Sequence, residues 1–198
     1  MNTYQGDKLE LILDAAYDLF GSQGYYATKM SEIAELAGIA KGTLYLYFSS
    51  KEDLFAAMSK RDLDSFLLEL SYGVKRNTTL EAQLKFIAEH YLNYYYERRQ
   101  YTKLFFKEPN NDPVILEIYR DFMANYIDIV SECMGTAELP NAHSYAKGFV
   151  GILTSMKMDM LFDESYSIED LENTISFSTQ LFLNGCKEAQ QPACASSE

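Results

Sequence analysis

The sequence predicts an all-α protein of about nine helices, a three-helix N-terminal domain followed by a larger helical one. Three observations carry that reading. Apolar residues recur at intervals of three and four through most of the 198 residues, the period of helices with one buried stripe. Only 4 Pro and 10 Gly are present to interrupt them. Residues with β-branched side chains dominate no long stretch, which leaves little to build strands from.

The elements follow in order. From Lys8 to Phe20 the residues Leu9, Leu11, Ile12, Ala15, Ala16, Leu19 and Phe20 form one apolar stripe, and Gly21 and Gly24 end the helix. Thr28 is placed to cap a second helix that buries Ile33, Ala34 and Ala37. Ser31 stands three positions after it, so no capping box is expected there. After Gly38, Lys41 to Phe48 reads as a third, equally short helix. Ser50 caps a long helix through Leu54, Phe55, Met58, Leu63, Phe66, Leu67 and Leu70, closing near Gly73, with Glu52 and Asp53 where the dipole favours them.

A helix from Leu80 to Arg98 and a short one from Arg99 to Lys107 lead to a break at Glu108–Pro113. Helices over Val114–Met134, Ala142–Phe162 and Ile168–Gln190 follow, and a polar tail from Pro192 is expected to be disordered. The domain boundaries so read are 1–50, 51–191 and 192–198.

Composition narrows the classes of function. A 47% hydrophobic share excludes a disordered or fibrous chain, and a net charge of −12 excludes a generally basic nucleic-acid coat. That charge is uneven. Residues 1–61 hold 6 Lys/Arg against 8 Asp/Glu, and the remainder 11 against 21. Any contact with DNA must therefore be short and confined to the nearly neutral first third. The polar opening and the lack of an apolar run near the roughly 20 residues that span a bilayer predict a cytoplasmic protein with no membrane partner. Cys133, Cys186 and Cys194 fit no thiolate metal spacing and no disulfide framework, so reduced thiols are expected. There is no HExxH, no CxxC and no Gly-rich phosphate loop, so no catalytic residue, metal or cofactor is assigned.

Two short helices joined around a glycine make a helix-turn-helix, whose second helix must fit a major groove about 12 Å wide. Leu44 and Phe48 face inward with Tyr45 partly beside them. Lys41, Thr43 and Tyr47 are left as outward donors, and Lys29 and Lys51 lie near phosphates. The competing reading is a helical hairpin with an ordinary solvated surface.

The stretch from Ile12 through Phe55 resembles the N-terminal domain of the tetracycline-repressor (TetR/AcrR) family of transcriptional regulators. The resemblance rests on Ile12 with Ala15-Ala16, Leu19-Phe20, Gly24-Tyr25, Thr28, Ile33-Ala34 and Ala37-Gly38-Ile39. It continues through Lys41-Gly42-Thr43-Leu44-Tyr45, Tyr47-Phe48 and Ser50-Lys51-Glu52-Asp53-Leu54. Lys29 stands where a second Thr is frequent, and Met30 fills a variable slot. The resemblance implies a repressor that binds a double-stranded DNA operator as a homodimer, through a larger ligand-binding and dimerisation domain. It implies that Thr28 and Lys29 contact the DNA backbone, that Lys41, Gly42, Thr43 and Tyr45 face the groove, and that Tyr47 and Lys51 touch phosphates. The role of Tyr45 stays open between this and the inward reading. A side chain at Gly42 would hold the helix away from DNA.

Seven aromatic residues fall between His90 and Phe106, more than one buried stripe needs. Tyr91, Tyr94, Tyr95, Tyr101 and Phe105 are candidate walls of an effector site, with Glu97 and Arg98 as polar anchors. The resemblance implies that an effector bound there disfavours DNA binding. The acidic balance of this domain argues mildly against a strongly anionic ligand, unless Arg98, Arg99 or Lys103 lines the cavity, and mildly permits a cationic lipophile. Phe149, Ile152 and Met156, with Ile175, Leu181 and Phe182, are read as the faces of a four-helix dimer seam. A small helical enzyme or a protein-interaction module using the aromatic cavity is the alternative.

Overall fold

The computed structural model of the protein describes residues 3–99, 102–103 and 113–189. Among them are eight helices and no strand: α1 (Thr3–Gln23), α2 (Met30–Leu36), α3 (Lys41–Tyr47), α4 (Lys51–Arg76), α5 (Leu80–Glu97), α6 (Pro113–Thr136), α7 (Ala142–Phe162) and α8 (Ile168–Ala189). The short helix expected over Arg99–Lys107 and the tail from Pro192 lie largely outside the described residues.

Contacts divide the chain into two compact units, Met1–Phe66 with Arg98–Phe122, and Leu67–Glu97 with Met123–Glu198. Helix α4 contributes to both, so the division does not coincide with a boundary after residue 50. The physical reason is in the core of the first unit. Ile12, Ala16, Phe20, Ile33 and Leu44 bury themselves together with Leu54 and Met58 of α4.

Local chemistry sets the ends of the helices. Helix α1 runs through Gly21 and stops at Gly24, whose φ of 88° is the one that needs a glycine. The cap of α2 is Lys29, one residue later than expected, and its backbone N–H donates to the Glu32 carboxylate at 2.9 Å. That shift supplies the acidic third position that a start at Thr28 lacked. At the other end Gly38 has φ 67°, and the N–H groups of Gly38 and Ile39 donate to the carbonyls of Glu35 and Ala34 at 3.1 and 2.9 Å. This glycine-closed turn fixes the angle at which the chain enters α3.

Ser50 caps α4 as the sequence predicts, its hydroxyl accepting the Asp53 N–H at 3.0 Å. The helix passes through Gly73 without ending, and the glycine there makes room for the Phe86 ring of α5, which a Cβ would overlap. Pro113 occupies the first position of α6, where its missing N–H costs nothing.

In the second unit α5 packs on α8 and α7, and those two on each other. Leu84, Ile87, Ala88 and Leu92 of α5 meet a core that includes Phe149, Leu153, Leu161 and Leu171.

Candidate nucleic-acid interface and aromatic interior

Helix α3 is the element whose outward face the fold leaves free. At about 100° per residue, fixing Leu44 and Phe48 inward turns Gly42 and Leu46 almost directly away from the core. Leu44 and Phe48 are buried, Leu46 is 86% exposed and Tyr45 46% exposed. Lys41 and Gly42 are exposed, while Thr43 and Tyr47 are half-buried. Tyr45 is thus part covered and part in solvent, with the Lys41 ammonium 5.9 Å from its ring centroid. Leu46 was not among the residues singled out from the sequence, although its angle from Leu44 and Phe48 places it outward. A Cβ on Gly42 would meet nothing within 4 Å, so nothing in this chain requires a glycine there.

Two residues expected on the DNA backbone make internal contacts. Thr28 is 1% exposed, and its hydroxyl lies 2.7 Å from the Gly24 carbonyl and 3.2 Å from that of Leu19. It locks the turn before α2 and turns no side chain outward. Lys51 donates to the carbonyls of Tyr25 and Thr28 at 2.9 and 3.1 Å, with its ammonium 4.4 Å from the Tyr25 ring centroid. The Tyr25 phenol donates to Glu52 at 2.7 Å. That bond, foremost, holds the Glu52 carboxyl below its ordinary pKa. Neighbouring residues of the first turn of α4 therefore grip both ends of Tyr25. Lys29 stays exposed, 3.9 Å from Glu32.

Residues 12–58, the span holding all of these groups, match the family described as bacterial regulatory proteins, tetR family. That match covers about a quarter of the chain and is a likeness of this region alone. The fatty acid metabolism regulator protein of Bacillus subtilis (strain 168) is 35% identical over 76 residues, 38% of this chain and 39% of that protein. The HTH-type transcriptional regulator RutR of Escherichia coli (strain K12) is 44% identical over 63 residues, 32% of this chain and 30% of that protein. The matched segment thus spans well under half the length of these curated relatives. A transcriptional regulator from Cytophaga hutchinsonii has a similar fold throughout, with a TM-score of 0.76, 29% identity and coverage of 93% of this chain and 99% of that one. FadR from Bacillus subtilis in complex with stearoyl-CoA shares the fold at a TM-score of 0.73 and 20% identity, over 89% and 98% of the two chains.

Outside residues 12–58 the chain carries an aromatic cluster inside the second unit. Tyr91 stacks on Tyr126 with ring centroids 5.4 Å apart and planes 5° from parallel. Tyr95 lies 4.8 Å from Tyr91, and Tyr94 5.0 Å from Tyr95. The Tyr91 hydroxyl is 3.3 Å from the Thr154 hydroxyl of α7. Burial drives the Tyr126 phenol well above its usual pKa. Glu97 is exposed. Arg98 is grouped with the first unit, where its Nε stands 3.9 Å from Asp62 and its guanidinium donates to the Tyr17 phenol. Helix α5 ends at Glu97, so Arg98 lies beyond the helix that carries Tyr91 and Tyr95. Tyr101 and Phe105 lie outside the described residues.

Sequence reasoning missed Lys157. The buried stripe of α7 runs Ala146, Phe149, Val150, Leu153, Lys157, Met160 and Leu161, so a charge occupies a core position. Lys157 is 9% exposed, with its ammonium 4.2 Å from the Tyr95 centroid and 5.5 Å from that of Tyr91. Among the described residues no carboxylate is paired with it. Ring faces supply about 2 kcal/mol to a desolvated cation, against a cost of several kcal/mol for taking an ion out of water. The signal was available: a lysine four residues after Leu153 and three before Met160.

The expected dimer faces divide into two sets. Phe149 and Phe182 are buried with their rings 4.9 Å apart, and Ile175 is buried with them, so these three belong to the core of the chain itself. Ile152 and Met156 are half-buried. Leu181 is 49% exposed and follows Phe177, also exposed, by one turn. A Cβ on Gly151 or Gly185 would meet nothing within 4 Å.

Two further observations bear on chemistry. Burial raises the Cys133 thiol to about 11, which keeps it protonated and unreactive. Among the described residues no helix is long and apolar enough to cross a membrane, and no group of three metal-ligating side chains occurs.

Proposed function

We propose that this chain is a transcriptional regulator, not an enzyme, that inserts α3 into the major groove of an inverted-repeat operator. Gly42 carries the reading. A helical glycine costs about 0.5–1 kcal/mol relative to alanine, and here the fold gains nothing from it. Close approach of a base edge or phosphate to the backbone accounts for that choice. Gly42, Tyr45 and Leu46 face the bases with Thr43 at their margin, and Lys29, Lys41 and Tyr47 reach the phosphates. Thr28 and Lys51 act by holding the loop before α2 in position.

A helix of 7 residues reads only a few base pairs, so affinity requires a second copy held by two-fold symmetry. The seam is formed by the exposed stripe Phe177, Leu181 and Gly185 of α8 with Gly148, Gly151 and Ile152 of α7, where the glycines admit a facing helix. The protein acts where its operator lies, in the cytoplasm. A small molecule held among Tyr91, Tyr94 and Tyr95 releases it, which needs a differential affinity of only about 1–3 kcal/mol between DNA-binding states. The solved FadR complex with stearoyl-CoA supports a ligand site in this fold.

Selection from random duplexes followed by sequencing tests the reading. An inverted repeat should be enriched; recovery of nothing above bulk DNA would overturn it.

A further inference from the structure

We propose that Lys157 is the anion anchor of the ligand site in the second unit, so that the effector is a carboxylate on an apolar body. The inference rests on the effector reading above and assigns its chemistry. Two independent observations point the same way. The Lys157 side chain is more than nine-tenths buried, on a stripe of α7 that is otherwise apolar. Its three N–H donors have, among the described residues, no carboxylate and no hydrogen-bond acceptor, only the faces of Tyr95 and Tyr91. The second observation is the Tyr91 and Thr154 hydroxyl pair, which adds neutral donor capacity beside the same rings.

The charge arrangement discriminates among ligand classes. Aromatic faces arranged in this way would suit a quaternary ammonium, but Lys157 already lies over them, and a cationic ligand would meet a like charge. A neutral apolar ligand would leave the ammonium's donors without an acceptor on the ligand. A dianionic phosphate would bring two charges to a single cation. A monoanion balances Lys157 and takes a hydrogen bond from the Tyr91–Thr154 hydroxyl pair, while Tyr91, Tyr95 and the aliphatic residues of α5 and α7 cover its apolar part. The acidic balance of the sequence therefore gives the opposite sign from the site itself, because the exposed carboxylates that dominate the count do not enter it.

Calorimetric titration of the full chain with sodium octanoate, methyl octanoate and octyltrimethylammonium, and with 2-naphthoate and its methyl ester, tests this. At least one carboxylate should bind at least about tenfold more tightly than its own ester, the loss expected when a charged hydrogen bond is removed. The cation should bind more weakly than either. Lys157→Met should abolish the preference for acid over ester, and Lys157→Arg should keep much of it. The ester comparison on the unaltered protein decides the matter even if Lys157→Met fails to fold. Equal affinity for acid and ester, tightest binding of the ammonium, or unchanged carboxylate affinity in Lys157→Met would overturn the assignment. Operator affinity is measured in the same samples. Intact operator binding with no carboxylate binding overturns the anchor alone, whereas carboxylate binding with no operator overturns the regulator reading.

Discussion

Adding one methyl group to α3, by Gly42→Ala, should stabilise the fold and weaken operator binding together. On the stability side the arithmetic is short. The new Cβ would meet nothing within 4 Å, and the residue is helical with no positive φ, so no strain offsets the propensity gain. About 0.5–1 kcal/mol of added stability is expected. On the binding side the same methyl points into the groove from the middle of the outward face. Displacing one base contact costs about 1–3 kcal/mol per half-site, so a symmetric dimer loses about 2 kcal/mol or more, roughly 30-fold in affinity. Denaturant melts read the first quantity through a higher midpoint at unchanged slope. Fluorescence anisotropy on the selected operator, at fixed salt, reads the second. A variant that is stabilised and binds as tightly as the parent would refute the placement of Gly42 at the groove.

Three further outcomes are expected. Lys51→Met should lower stability by about 1–3 kcal/mol by removing the donor shared by the Tyr25 and Thr28 carbonyls, whereas Lys41→Ala should leave stability alone and reduce the salt slope of DNA binding by about 1 per half-site. Leu181→Glu should sediment as a folded monomer with no operator binding, while Phe182→Glu, a core substitution, should lower the melting temperature first. If Leu181→Glu stays dimeric, α8 is not the seam. The pH dependence has a definite sign. The Glu52 carboxyl is held below its ordinary 4.5, so its contribution is complete above that value and disappears as the pH falls through the lower, folded one. Melts between pH 6 and pH 3 should therefore show an acid-side loss that Glu52→Gln reduces, and an identical acid limb in the variant would rule the Tyr25–Glu52 bond out as its source.

Much of the fold was legible because helix ends are local chemistry. Gly38 and Pro113 act through their own backbone geometry and Ser50 through a hydroxyl that reaches three residues along, and a reader of the sequence has that information. What was not legible depended on angles between residues. Gly21 and Gly24 look alike in a sequence, and only the second takes the conformation that stops a helix. The role of Tyr45 stayed open because a residue adjacent to a buried leucine lies about a quarter-turn from the core direction, between inward and outward. In α8 two stripes, one through Ile175 and Phe182 and one through Phe177 and Leu181, are close enough in sequence to read as a single face. Lys157 escaped because a search for apolar periodicity passes over a charge in phase with it.

The paired grip on Tyr25 has a consequence for building chimaeras. Lys51 and Glu52 hold the loop that leads into α2, and Leu54 and Met58 complete the core beneath it. A DNA-reading module cut after residue 50 would leave behind the donor for two carbonyls, the acceptor for a phenol and two fully buried side chains. Exchanging operator specificity between this chain and a relative therefore requires a junction inside α4, beyond Met58, with the helix register kept across the splice.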